Sequence, residues 1–180
     1  QGPILMDTAA SAKEASDIVE VAWAEVIRAD NLARDAAALI ADTTMENVEA
    51  SKAKSIEAKE LFSDARVQFE NAAQEYPSAN LSAHIEYIEK RIAAMDYAIA
   101  SDDAILAYDK DIAASQNDAY NQVDQEAAAL AETLSDSPSD QVRSAYLRDI
   151  EEPGKLYSEA RSVAATADAF IRDYLGSNGK

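Results

Sequence analysis

Small and apolar residues recur every three or four positions along most of the chain, and this spacing is the strongest constraint on the fold. In the first segment they are Ala12, Ala15, Val19, Ala22, Val26, Ala29, Ala33, Ala36 and Ile40. The second segment repeats the spacing with Val48, Ser51, Ser55, Ala58, Phe62, Ala65, Phe69, Ala72 and Tyr76. Side chains spaced in this way line one side of an α-helix and face a neighbouring helix over many turns. The pattern therefore predicts an all-α fold.

The composition favours an elongated bundle over a globule. The chain has 180 residues with only 4 glycines and 4 prolines, and alanine is frequent. Alanine has the highest helix propensity, but its small side chain buries little area. Stability must therefore accumulate along extended helix contacts, which predicts an antiparallel helical bundle or coiled coil.

Capping and breaking residues divide this bundle into about four long helices. A capping box beginning at Ser11 starts the first helix near Thr8 or Ser11, and residues 42–44 and Pro77 end the first and second. Such short joints make neighbouring helices antiparallel. The third segment, 79–134, either overhangs its partners or breaks, at residues 101–103 or 115–118. The last contains Pro153 and Gly154, so we expect the third and last helices to be kinked or broken.

The helical register is ambiguous around Asp102. Continuing the apolar spacing strictly from the start of the third helix places Asp102, Asp109 and Gln116 inward, where unpaired polar groups are costly. Shifting the register by one row instead places apolar or aromatic residues inward. This shifted register is the one we expect, with the inward positions Ile105, Tyr108, Ile112 and Ala119.

The chain is expected to form a single helical domain over residues 8–175. Residues 1–7 are expected to be disordered or to derive from an engineered protease site, because the chain begins with Gln1, Gly2 and Pro3. Residues 176–180 are expected to form a disordered tail. No internal repeat or low-complexity linker divides the chain further.

The charge excludes several partners. A net charge of −18 argues against binding nucleic acid or anionic lipid, and no apolar stretch is long enough to enter a membrane. Acidic residues concentrate between Asp102 and Asp140. They either keep the surface soluble or form a docking surface for a basic protein partner, with the candidates Asp111, Asp118, Asp124, Glu126 and Glu132.

No motif for catalysis, metal or cofactor binding is visible. The chain has no cysteine and one histidine, His84, which lacks the companion ligands of a bundle metal centre and is expected to be partly exposed. No glycine-rich phosphate loop occurs. We therefore expect no cofactor, no metal and no enzymatic activity.

Tyrosines near acidic residues are the one suggestive set for ligand binding. Tyr97 and Tyr108 are eleven residues apart, close to three helical turns, so they share a helix face. With Asp102 and Asp109 they could line a cleft for a cationic or amphipathic small molecule. The alternative is that the tyrosines pack at the edges of the helix contacts with their hydroxyl groups in water.

Three functions follow from these features. The leading interpretation is a non-catalytic extracytoplasmic module of a surface or envelope protein that binds a protein partner or senses a ligand. The first alternative is a cytoplasmic coiled-coil scaffold or adaptor with an acidic docking surface. The second is a small-molecule sensor domain with a tyrosine-lined cleft. Homodimerisation through the alanine-rich faces is open in each case.

Overall fold

The computed structural model describes residues 2–134 and 137–178. These residues form five α-helices: α1 (Gly2–Ile40), α2 (Met45–Glu75), α3 (Ser82–Leu106), α4 (Lys110–Ala131) and α5 (Pro138–Asn178). A short 3₁₀ turn, Pro77–Ala79, joins α2 to α3. The described part of the chain contains no β-strand. The all-α prediction is therefore confirmed, with five helices where about four were expected.

The apolar rows predicted on α1 and α2 form the core. Every residue of both rows is buried except Ile40, which is half-buried. Alanine dominates the α1 row and lets the two helices approach closely, while Phe62 and Phe69 supply the largest buried side chains. Full burial of one phenylalanine contributes up to about 3 kcal/mol.

Helices α1 and α2 run antiparallel. Trp23 meets Phe69 edge to face at a centroid distance of 6.1 Å, and Arg28 donates to the Glu57 carboxylate at 2.9 Å. In these contacts a later residue of α1 meets an earlier residue of α2, as antiparallel packing requires. The joint between them ends at Thr44, whose hydroxyl accepts from the Asn47 N–H and caps α2.

Helix α3 packs antiparallel to α2. His84 stacks on Phe69 near its start, and Asp103 pairs with Lys52 near its end. The buried side chains of α3 are mostly large and partly polar, unlike the alanine row of α1. They include His84, Ile88, Arg91 and Met95, and Leu81 is buried just before the helix.

The third segment is broken by a tight turn that lies between the two predicted break points. Helix α3 ends at Leu106, Tyr108 adopts a left-handed conformation with φ of 59°, and Asp109 caps α4 by accepting from the Ile112 N–H at 3.0 Å. The chain reverses there, so α4 folds back against α3. Ser101 on α3 accordingly donates to the Ala113 carbonyl at 3.2 Å.

The shifted register expected around Asp102 is wrong. Asp102 is buried, whereas Tyr108 and Ile112 are exposed and Ile105 and Ala119 are half-buried. Because α3 continues without a stutter as far as Leu106, the strict spacing carries Asp102 inward. Asp109 and Gln116, which the strict spacing also carried inward, are exposed and half-buried respectively, because the turn starts a new helix.

Helix α5 begins against the core and continues past it. Its first turns bury Val142 and Ala145, and Gln141 donates its side-chain amide to the Ala79 carbonyl at 2.8 Å. The Tyr76 hydroxyl donates to the Asp149 carboxylate. These contacts fix the start of α5 to α1 and to the joint between α2 and α3.

Two helix boundaries differ from expectation. Helix α1 begins at Gly2, ahead of Thr8, because Pro3 lies in the first turn, where its missing N–H forfeits no helical bond. Helix α5 runs through Pro153 without interruption, and the carbonyl deprived of a donor belongs to the solvent-exposed Asp149.

Most residues of the two termini that were expected to be disordered lie in helices. Residues 2–7 belong to α1 and residues 176–178 belong to α5. Residues 1, 179 and 180 lie outside the described residues. Among the helices that are described, none is both long and apolar enough to cross a membrane.

Candidate functional site

A cavity lies where the second half of α1 and the first half of α2 meet α3 and α4. Its volume is about 200 Å³. Its apolar lining comes from Ala33, Ala36, Ala98 and Met95, and its polar lining comes from three helices. The polar residues are Ser51, Ser55, Ser101, Asp102, Asn117, Tyr120 and Asn121.

The Asp102 carboxyl group is the central polar feature of this cavity. The residue is only 3% exposed, and its Oδ2 atom has no hydrogen-bond partner among the described residues. Burial raises the pKa of Asp102 to about 6, and a hydrogen bond from the Ser51 side chain opposes that rise. The Ser55 hydroxyl, buried in the same cavity, also lacks a partner within the described chain.

Only one of the four predicted ligand-binding residues lines the cavity. Asp102 does, whereas Tyr97 is half-buried on α3 and is not part of the lining. Tyr108 is exposed in the turn after α3, and Asp109 is occupied as the cap of α4. The structure therefore does not bring these four residues together.

Sequence reasoning missed the serines and Tyr120. Ser51 and Ser55 were read only as small residues of the α2 row, although two hydroxyl groups one turn apart in an otherwise apolar row are themselves informative. Tyr120 belonged to no pattern that the sequence displayed. Its contribution depends on the reversal after Leu106, which brings α4 against the cavity.

Of the five acidic residues predicted as a docking surface, three are exposed and two form ion pairs within the bundle. Asp111, Asp118 and Glu132 are exposed on α4 or just after it. Asp124 and Glu126 instead pair with basic residues of α3. Their partners are Arg91 and Lys90 respectively.

Arg91 lies at the centre of a polar cluster that joins α1, α3 and α4. Its Nε donates to Asp30 Oδ1 at 2.8 Å, and its Nη1 donates to Asp124 Oδ1. The Tyr87 hydroxyl donates to Asp30 Oδ2 at 2.7 Å. The guanidinium carbon also lies 5.6 Å from the centre of the Phe62 ring. The cluster is satisfied internally, and its arrangement is that of a structural cross-link.

His84 is fully buried, which corrects the expectation of partial exposure. Its ring lies 5.5 Å from Trp23 and 5.8 Å from Phe69, and neither nitrogen has a partner among the described residues. Burial lowers the pKa of His84, so the ring is neutral. Sequence spacing did place this residue between the buried Leu81 and Ile88, but the expectation followed the polarity of its ring.

The second candidate site is the outer half of α5. We call the α5 stripe the row Leu156, Ala160, Val163, Ala167, Phe170 and Tyr174. Every member is exposed, including Val163 at 69% and Phe170 at 70%. This face is exposed from Leu156 to Phe170, although its spacing is the same as that of the buried rows on α1 and α2.

The described residues contain no group of three or more histidine, cysteine, aspartate or glutamate side chains placed to hold a metal ion. Comparison of the chain with protein-family models, with curated proteins and with solved structures finds no match.

Proposed function

We propose that this chain is a non-catalytic, elongated helical module that binds a protein partner through the α5 stripe. The partner element is an amphipathic helix whose apolar row is flanked by lysine or arginine. The observation that carries the proposal is the exposure of the large apolar side chains Leu156, Val163 and Phe170 on one face of α5.

The spacing of the stripe suits a helix better than any other partner element. Its members alternate between large and small, so a second helix can place its own side chains over Ala160 and Ala167. Burying a large apolar side chain contributes about 1.5–3 kcal/mol, less whatever part is already covered. Leu156, Val163 and Phe170 are more than half exposed and provide most of this gain.

The charge of the chain favours a basic partner. Glu159 and Asp173 flank the same edge of the α5 stripe, two heptads apart. The net charge of −18 attracts a basic helix over longer distances and opposes self-association. A partner bearing lysine or arginine beside its apolar row is therefore favoured over a second copy of this chain.

Location outside the cytoplasm, as part of a surface or envelope protein, belongs to the same proposal. It is supported only by the acidic, cysteine-free composition. Fractionation of the source cells with an antibody against α1 would test it, and recovery of the protein in the cytoplasmic fraction would favour the scaffold alternative.

A designed amphipathic peptide tests the docking proposal. The probe has about three heptads of Leu and Ala with flanking lysines, and a second peptide carries glutamates in place of the lysines. Binding to the full chain is measured by calorimetry at low and high salt. The lysine peptide should bind, more weakly as salt rises, and the glutamate peptide should bind less.

Matched variants locate the binding surface. Val163→Ser should weaken binding of the lysine peptide by about tenfold, since it removes one contact of about 1.4 kcal/mol. Val21→Ser is the control, because Val21 on α1 is also 69% exposed. Equal effects of both variants, or a chain that is already dimeric through α5, would contradict the proposal.

A further inference from the structure

We propose that the cavity beside Asp102 is a binding site for a small organic monocation, a primary ammonium with a short apolar chain. This site is separate from the α5 stripe and does not depend on it. Its lining combines one buried carboxylate, three buried serine hydroxyl groups and a wall of mostly small apolar side chains.

The polar atoms of the cavity lack a donor of the kind that an ammonium supplies. Asp102 Oδ2 and Ser55 Oγ are buried without a partner in the described chain. A buried polar group without a hydrogen bond costs about 1–3 kcal/mol. An ammonium carries three N–H donors and no acceptor, so it matches oxygens that lack a donor and neutralises the carboxylate.

The charge of the site suits a single positive charge. Asp103, the next acidic residue, pairs with Lys52 through Oδ1 at 2.5 Å and is exposed. Asp102 is therefore the only carboxylate in the lining, and the other polar groups there are hydroxyls and amides. One carboxylate balances a monovalent cation, whereas Ca²⁺ or Mg²⁺ sites usually employ more oxygen ligands and more negative charge.

The size and the apolar wall suit a short hydrocarbon chain. The cavity volume of about 200 Å³ exceeds the roughly 150 Å³ that accommodates one benzene molecule in an engineered protein cavity. Ala33, Ala36 and Met95 form the apolar part of the lining. A butyl chain can lie against them while the ammonium reaches Asp102.

The test measures binding of n-butylammonium chloride to the full chain, by calorimetry and by the change in melting temperature. Neutral 1-butanol and anionic butyrate serve as comparison probes at matched ionic strength. Asp102→Asn keeps the side-chain shape but removes the charge. Asp103→Asn is the matched control, because Asp103 is the adjacent carboxylate and does not line the cavity.

We expect n-butylammonium to bind the parent chain and Asp103→Asn, with affinity lowered about tenfold or more in Asp102→Asn. Ser55→Ala should weaken binding as well. Equal binding to Asp102→Asn and Asp103→Asn would show a nonspecific charge effect and overturn the proposal. Preference for 1-butanol, or no binding of any probe to the parent chain, would also overturn it.

Discussion

Arg91 on α3 and Asp30 on α1 form a largely buried ion pair, with 2.8 Å between Nε and Oδ1. Tyr87 donates to the other oxygen of Asp30, and Asp124 on α4 accepts from Nη1 of the guanidinium. The core is built largely from alanine, whose contacts are not directional. The hydrogen bonds of this cluster are directional, so they oppose sliding of one helix along another.

Replacing Arg91 with Met should destabilise the protein by about 3 kcal/mol, because Asp30 would remain partly buried without its partner. Urea unfolding followed by circular dichroism measures the loss. The control is Arg66→Met, which breaks a surface pair with Glu70 and should cost no more than about 1 kcal/mol. Similar losses for the two variants would show that the cluster is not a cross-link.

Asp102→Asn should stabilise the chain at pH 7.5 by about 3 kcal/mol, because the pKa of Asp102 is raised to about 6 by burial. The folded form binds this proton more tightly than the unfolded chain does. Stability of the parent chain should therefore rise as the pH falls through 6 towards 4, while the variant lacks this rise. Unfolding curves across that pH range measure both, and a variant less stable at pH 7.5 would contradict this account.

His84→Leu should reduce the loss of stability in acid. Burial lowers the pKa of His84, so below about pH 6.5 the unfolded chain binds a proton that the folded form resists. The free energy of unfolding should consequently fall with pH, and less so in the variant. The comparison is made in the Asp102→Asn background, which removes the opposite slope, and identical acid profiles would exclude this role for His84.

Tyr108→Asn should stabilise the turn between α3 and α4 by about 0.5–1 kcal/mol. Tyr108 has φ of 59° and is exposed, and asparagine tolerates that conformation better than a bulky aromatic residue. Tyr157→Asn on the exposed part of α5 is the control and should change stability by less than about 0.5 kcal/mol. Thermal unfolding distinguishes the two, and a destabilised Tyr108→Asn chain would contradict the strain argument.

The buried residues were predicted best from the sequence where a helix has a single apolar row facing the core. The rows of α1 and α2 were identified residue by residue, because each helix buries a single face. On α3 the prediction was weaker, since this helix packs against both α2 and α4 and also contacts α1 through its side chains. His84 and Arg91 lie on one row with the buried Leu81, Ile88 and Met95, but their polar side chains do not continue an apolar pattern.

The break near Tyr108 could not be located from the sequence for a different reason. No glycine or proline marks it, and the residue in the left-handed conformation is a tyrosine. The reversal is stabilised by the packing of α4 on α3, which is not visible in local patterns. The polar lining of the cavity beside Asp102 depends on the same reversal, so only its α2 and α3 residues were accessible from sequence spacing.

Ending the chain after Gly154 should leave the free energy of unfolding unchanged within about 0.5 kcal/mol. Residues 155–174 are exposed along their whole length, so their removal uncovers no core. Ending the chain after Asp140 provides the contrast, because it removes Val142 and Ala145 from the core. Urea unfolding of both chains tests this difference. A large loss of stability in the chain that ends after Gly154 would show that the outer half of α5 supports the core.

Hydrogen exchange along α5 tests the docking account most directly. In the free chain, amides of residues 156–174 should exchange rapidly while the buried rows of α1 and α2 stay protected, and the lysine-flanked peptide should slow exchange over the α5 stripe. Strong protection of residues 156–174 without any partner, or no change when the peptide is present, would contradict the assignment of this helix as the docking surface.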